Sequence, residues 1–494
     1  MISVKLPTVS LCCVLALALV QVASPDARTA PPVQVSPALA AALEQITPDR
    51  LKGDVSFLAS DVLEGRATPS RGLEVAAEYI AARFRAAGLE PAGTEGYFQI
   101  ANRIHRTANL KRFRLELRNG DHALNAEAGN VAVLNDEAVE IDRAPVYKVS
   151  SESSGSLNTA DIDGKVVVFL VPEGREGRSR LRSIRRMGAA ALVIAIADRN
   201  DFVAGMDRLL DPAAMEKASP LVVVDILHGR EFVESLPAGD TAATVSAIIS
   251  KPHDEHVNLK NVVGFLRGSS IDPVLRDSVV ILSAHYDHVG IGTPRDGDKI
   301  YNGANDDVSG TAAVIQIASA LASLEQRPKR SILFLAFFGE ERGLLGSRHY
   351  VNHPLFPFHQ TVANINLEQL GRTDGYDGSN LATATLTGYG YSNIPNQFQR
   401  AGELTGVKVL SQGDTNRYFS RSDNYSFARR DIPAHTLAVL FEFPDYHGVD
   451  DEWEKLDYDN FAKVTRMAAL GTFLIADDPV PPHWNGTTQK KSAE

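Results

Sequence analysis

Cysteine is almost absent from this chain. Its 494 residues include two, Cys12 and Cys13, adjacent to one another near the N-terminus. The remainder therefore has no disulfide framework and no thiolate metal site. Long apolar runs are as scarce. The one that stands out, Val9–Val20, is too short to span a bilayer comfortably. Basic charge is in deficit, with 50 Lys and Arg against 61 Asp and Glu and a formal net charge of −11. That balance speaks against a nucleic-acid partner, which needs a basic face. No internal repeat or long block of like charge stands out. What remains is ordinary for a globular protein: 44% hydrophobic and 22% charged residues. Two or three domains are expected, with a core large enough to do without covalent staples.

The N-terminus has Lys5, then the apolar run, then small residues at Val22-Ala23-Ser24. Residues 1–23 are expected to be a secretory signal peptide, which places the protein outside the cell or in the periplasm. No membrane span is expected in the mature chain. Oligomeric state is not legible.

The chemistry concentrates between Ser278 and Ser347. SVVILSAHYDHVG is followed by YNGANDDVSGTAAV and then by SILFLAFFGEERGLLGS. Two apolar β-type runs each end in metal-type ligands, His285 with Asp287 and Glu340 with Glu341. Between them a turn-rich loop carries Asp306 and Asp307 and opens a helical pattern from Thr311. Strand, loop, helix, strand is the βαβ pattern of a mainly parallel sheet. Sites in such sheets form beyond the carboxyl ends of the strands, where these residues fall. One His-x-Asp or one Glu-Glu is commonly structural, but three clusters within a single βαβ unit point to a site. Carboxylates mixed with imidazole suit zinc or a similar divalent ion.

Around this centre, Ser36–Gln99 reads as helices separated by the loop LEGRATPSRG, whose Arg66 and Arg71 read as structural rather than anion-binding. From Leu110 to Ser250 short β-type runs alternate with turns and few acidic or His clusters. The arginines from Arg178 to Arg186 there read as a solvated helix face. Val362–Arg372 is a further strand passing Glu368, and Ala434–Trp453 a β run opening into a loop with His447. Tyr458–Ala476 reads as a closing helix. The expected divisions are 36–125 for the N-terminal part of the catalytic domain, 126–250 for an insert, 251–478 for the main catalytic domain and 479–494 for a flexible tail.

The motifs SAHYDHVG, NGANDDVSG, FFGEERGLLGS, NINLEQLGR and DYHGVDDEWEKLD, in this order, resemble metallopeptidase family 28. These are two-zinc exopeptidases that include aminopeptidases and glutamate carboxypeptidases. The middle of the chain resembles the protease-associated domain that many members carry as an insert. The resemblance implies a mixed, mainly parallel α/β sheet with helices on both faces, plus a β-rich inserted domain. It implies two zinc ions: His285 and Glu368 on one, Glu341 and His447 on the other, and Asp306 bridging. Glu340 would be the general acid/base and Asp287 the partner of His285 in catalysis. A cis peptide between Asp306 and Asp307 is implied as well. Many relatives have Asp where this chain has Glu368, so that ligand reaches one methylene further. The expected function is removal of N-terminal residues from peptides with a free N-terminus. Glutamate-carboxypeptidase-like and glutaminyl-cyclase-like chemistry on the same scaffold are the alternatives, with a non-catalytic binding protein third. The specificity pocket is expected from loops Thr387–Pro395 and Gly413–Tyr425, with Arg417, Tyr418 and Arg421 as candidates.

Overall fold

A computed structural model describes residues 35–150, 157–198, 202, 207–213, 218–376, 378–411 and 413–486. The expected signal peptide, 1–23, lies outside them. Among the described residues, no helix is long and apolar enough to cross a membrane.

The main sheet is mixed, as expected. Its centre is four parallel strands, in the spatial order Ala434–Ala438, Thr361–Leu367, Val279–His285 and Ser331–Phe337. Antiparallel strands extend it beyond Ser331–Phe337: first His253–Leu266, then Phe98–Thr107. The central runs are apolar without alternation because helices cover both faces. Val280, Ile281 and Leu282 are all fully buried, and burying each such side chain stabilises the fold by about 1.5–3 kcal/mol.

One face carries Pro48–Leu58, Arg71–Ala86, Gly310–Ala322 and Tyr458–Asp477. Thr47, Ser70 and Asp457 cap three of these helices with their side chains, and Pro48 takes the first position of its helix. The helix Gly310–Ala322 is apolar nearly all round and buried on every side. Gly310 is required at its start, since a Cβ there would lie 2.4 Å from the Leu367 carbonyl oxygen. The opposite face packs against Leu345–Asn352 and Asn424–Ala428.

A second sheet of eight strands has its own two core clusters. It contains the strand–helix–strand unit Val166–Leu170, Arg175–Arg186, Leu192–Ala197, its strands parallel. This sheet begins at Arg114, earlier than the expected boundary at 126, because the hairpin Arg114–Asn119 and His122–Ala126 pairs with Gly239–Ile249. The second unit also returns one strand to the first. Arg208–Leu210 pairs with Ile104–Arg106 at the edge of the main sheet.

The stretch expected to be a flexible tail is pinned over its described part, 479–486. Trp484 bridges to Ser392, its indole N–H donates to the Asp431 carbonyl, and Asn485 donates to the Gly390 and Ser392 carbonyls.

Candidate metal centre

The central parallel strands end on one side of the sheet and deliver their terminal residues to a common floor. Val279–His285 places the buried His285 ring with Nε2 3.3 Å from Asp306 Oδ1. On the other side of that ring, Nδ1 lies 3.2 Å from the Asp287 carbonyl oxygen and 3.6 Å from its carboxylate. The Asp287 carboxylate accepts from the Glu340 backbone N–H (3.0 Å) and from the Thr68 hydroxyl (3.2 Å). It thus ties the His285 strand to the turn carrying Glu340.

The loop 302–310 positions its two aspartates in opposite senses, and the Asp306–Asp307 peptide is cis. Asp306 faces the floor, with Oδ2 3.1 Å from His447 Nε2. Asp307 turns inward and accepts from the backbone N–H groups of His285, Gly310 and Gln369 at 3.3, 3.0 and 3.1 Å. Asp451 holds the loop from below, accepting from the N–H groups of Asn305 and Asp306. Arg66 is fully buried and donates to the carbonyls of Leu58, Tyr286, Asn302 and Gly303. The structural reading of Arg66 accords with that geometry.

Glu341 Oε1 lies 3.0 Å from His447 Nε2 and 3.1 Å from His288 Nδ1. The donor atoms fall into two groups, each within 4.8 Å: His288, Asp306, Glu341 and His447 in one, His285, Asp306 and Glu368 in the other. Asp306 belongs to both. The five ligand candidates His285, Asp306, Glu341, Glu368 and His447 therefore meet, with Glu340 at the base of the cleft and Asp287 behind His285, and His288 joins them as a residue that sequence reasoning missed. Its signal was present in HYDH, a second imidazole directly after Asp287.

The electrostatics fit a cation. Burial pushes Glu340 well above the usual carboxylate range, with Glu341 and Glu368 adding to it against the opposing His285. Burial likewise raises Glu368 and the neighbouring Asp423 to about 7. Asp306 goes the other way: despite burial, the imidazoles of His285 and His447 close beside it, with His288 near, hold it far below the usual range. His285 Nε2, His447 Nε2 and Glu341 Oε1 are buried without hydrogen-bond partners. Orphaned donors converging among crowded carboxylates match the set that divalent zinc takes.

Above this floor opens a cleft of ≈ 650 Å³. Glu340, Glu341 and Glu368 form its base, and Tyr376, Tyr418, Phe441, Phe443 and Tyr446 are among its walls. Tyr418 stacks on Phe441 at 4.6 Å, and the Tyr446 ring stacks on His447 at 4.1 Å. Of the expected pocket residues, Tyr418 and Arg421 line the cleft, while Arg417 lies over the Tyr418 ring and faces Glu442. The loop Thr387–Pro395 does not line it. That loop packs against His435 and Trp484 instead, through Thr387 and Ser392.

Residues 261–471 match the model of peptidase family M28. An aminopeptidase, YwaD, of Bacillus subtilis (strain 168) is 34% identical over 154 residues, 31% of this chain and 30% of the relative. A probable leucine aminopeptidase 2 of Aspergillus oryzae (strain ATCC 42149 / RIB 40) is 26% identical over 477 residues, 88% of this chain and 87% of the relative. The solved aminopeptidase of Aneurinibacillus sp. strain AM-1 shares the fold, with a TM-score of 0.58 at 18% identity, covering 88% of this chain and 95% of that one. Among curated relatives matched at 32–34% identity, the chain spans only 11–34% of their length.

Proposed function

We propose, from the match of residues 261–471 to the model of peptidase family M28 and from the cleft, a zinc-dependent aminopeptidase acting on peptides with a free N-terminus. The observation that carries the reading is the pair of donor groups sharing Asp306 at the base of an aromatic-walled cleft, with Glu340 beside them. Two zinc ions per chain are proposed, on His285, Asp306 and Glu368 and on Asp306, Glu341 and His447. Zinc, when bound, supplies Lewis acidity toward a carbonyl oxygen and lowers the pKa of water.

The chain's own groups do the rest. Glu340 takes the proton from the attacking water and passes it to the leaving amine, a role often worth ~10²–10⁴ in rate. Its raised carboxyl suits that exchange better than an ordinary glutamate would. Asp287 is a positioning residue, fixing the His285 ring and the Glu340 backbone together. The aromatic walls exclude water and accept an apolar side chain.

The acidic base suits an ammonium group better than a carboxylate, which supports aminopeptidase over carboxypeptidase chemistry. Arg421 at the cleft favours the second reading, a glutamate-carboxypeptidase-like enzyme binding a C-terminal carboxylate. Export rests on the sequence of residues 1–23 alone.

The deciding experiment is a panel of dipeptides with free, N-blocked and C-blocked ends, assayed with and without added zinc. Cleavage of free-amino and C-blocked substrates, but not of N-blocked ones, supports the aminopeptidase. Cleavage that needs a free carboxylate supports the second reading. No zinc-dependent cleavage of any substrate rejects both.

A further inference from the structure

His288 has no task in the reading given so far. Its ring is 2% exposed, and neither ring nitrogen has a hydrogen-bond partner. A buried polar side chain left unpaired costs free energy, and most are paired. The ring is nonetheless held firmly in place. Gly303, at φ +58, lets it lie flat against the loop, since a Cβ there would come within 2.4 Å of the His288 ring. The ring meets His447 edge-on at 5.3 Å. Nδ1 approaches Glu341 Oε1 at 3.1 Å, yet neither atom is hydrogen-bonded. Two donors that approach so closely without bonding are arranged to converge on a third atom.

We propose that His288 is a fourth protein donor at the position formed by Asp306, Glu341 and His447. The inference rests on the zinc reading above and makes the two positions unequal. Two imidazoles and two carboxylates complete a tetrahedral zinc shell, the hallmark of a closed, retained ion. The position of His285, Asp306 and Glu368 has three protein donors, the number that leaves a place open for water or substrate. The first position would then fill at lower zinc concentration and keep its ion under chelation, while the second exchanges.

The test uses the full-length chain, zinc and a competing chelator, with zinc per chain read by elemental analysis. The wild type is expected to keep one chelator-resistant zinc. X-ray absorption on that one-zinc form should count two imidazoles, from His288 and His447. His288→Asn keeps a polar side chain at the position but is a poor zinc donor, so it should lose the resistant zinc, with affinity falling by about 10-fold or more. His288→Cys supplies a thiolate and should restore it. One imidazole in the wild type's resistant site, or wild-type retention in His288→Asn, would overturn the proposal while leaving the zinc reading intact. A wild type that binds no zinc would overturn both. The imidazole count needs no variant, so a misfolded substitution does not decide the outcome.

Discussion

Arg66→Met is the perturbation that most directly tests how the centre is held. Arg66 is fully buried and sits after Gly65 with both residues at positive φ. Its Nε donates to the Tyr286 carbonyl at 2.8 Å, between His285 and Asp287 in the chain. Nη1 donates to Leu58 at 2.5 Å and Asn302 at 2.8 Å, and Nη2 to Gly303 at 3.3 Å. One guanidinium therefore clamps both ligand-bearing loops. Burial lowers its pKa to about 10, with Asp287 and Asp451 opposing, so it stays charged at neutral pH. Methionine keeps the stem and removes every donor. Leaving a buried acceptor unpaired costs about 1–3 kcal/mol, and there are four. Relief of the buried charge offsets several kcal/mol, for an expected net loss of about 3–5 kcal/mol. That is a large part of the ~5–15 kcal/mol that holds a typical domain. Urea unfolding of the zinc-free chain reads the stability term, and zinc titration reads the loosened loops. Arg66→Lys, a point charge without the fork, should recover only part of the loss. A cost under about 1 kcal/mol with unchanged zinc affinity would refute the clamp.

Two further predictions follow from other parts of the fold. His435 is buried with Nδ1 on the Thr387 carbonyl and Nε2 accepting from the Ser392 hydroxyl, and burial lowers its pKa from 6.5 to about 4. Between those values the unfolded chain binds a proton that the folded chain does not, so stability falls as pH drops through that window, by up to about 1.4 kcal/mol per pH unit. Unfolding midpoints from pH 7 to pH 4.5 should show this slope reduced in His435→Gln, and identical slopes in both proteins would contradict it. Replacing residues 114–250, the whole second sheet, by a short linker should spare zinc binding, because every proposed donor lies outside that segment. It should still lower the unfolding midpoint, since it removes Arg208–Leu210 from the sheet edge and Asp207, which pairs with Arg342 beside Glu341. Loss of zinc from a soluble, folded deletion variant would show that the insert helps build the site.

The residues of the centre were legible because strand ends are fixed by local pattern. His285, Glu340, Glu341 and Glu368 each follow an apolar run, and parallel pairing brings such ends to one side. Their grouping into two sets, and the cis bond after Asp306, came from the family resemblance rather than from residue pattern. His288 was missed because alternation along a strand would point it away from His285, and only the turn at its C-terminal end redirects it. Arg66 yielded a structural reading but not its four acceptors, which are backbone groups distant in sequence. The same limit hid the early start of the second sheet. The hairpin at Arg114 reads as β from pattern, but its partner, Gly239–Ile249, is fixed only by tertiary pairing. The aromatic walls at Phe441 and Phe443 escaped notice because in sequence they read as the end of a core strand, whereas the chain has already left the sheet at Ala438.

The central claim is that Glu340 moves the proton while the donors around Asp306 hold the metal. The measurement is turnover of a free-amino leucyl substrate by Glu340→Gln, with zinc per chain determined on the same sample. Gln keeps the shape and removes only the titratable oxygen. The account predicts zinc content equal to wild type and kcat lower by about 10²–10⁴. Turnover within a few-fold of wild type at full zinc occupancy would contradict it.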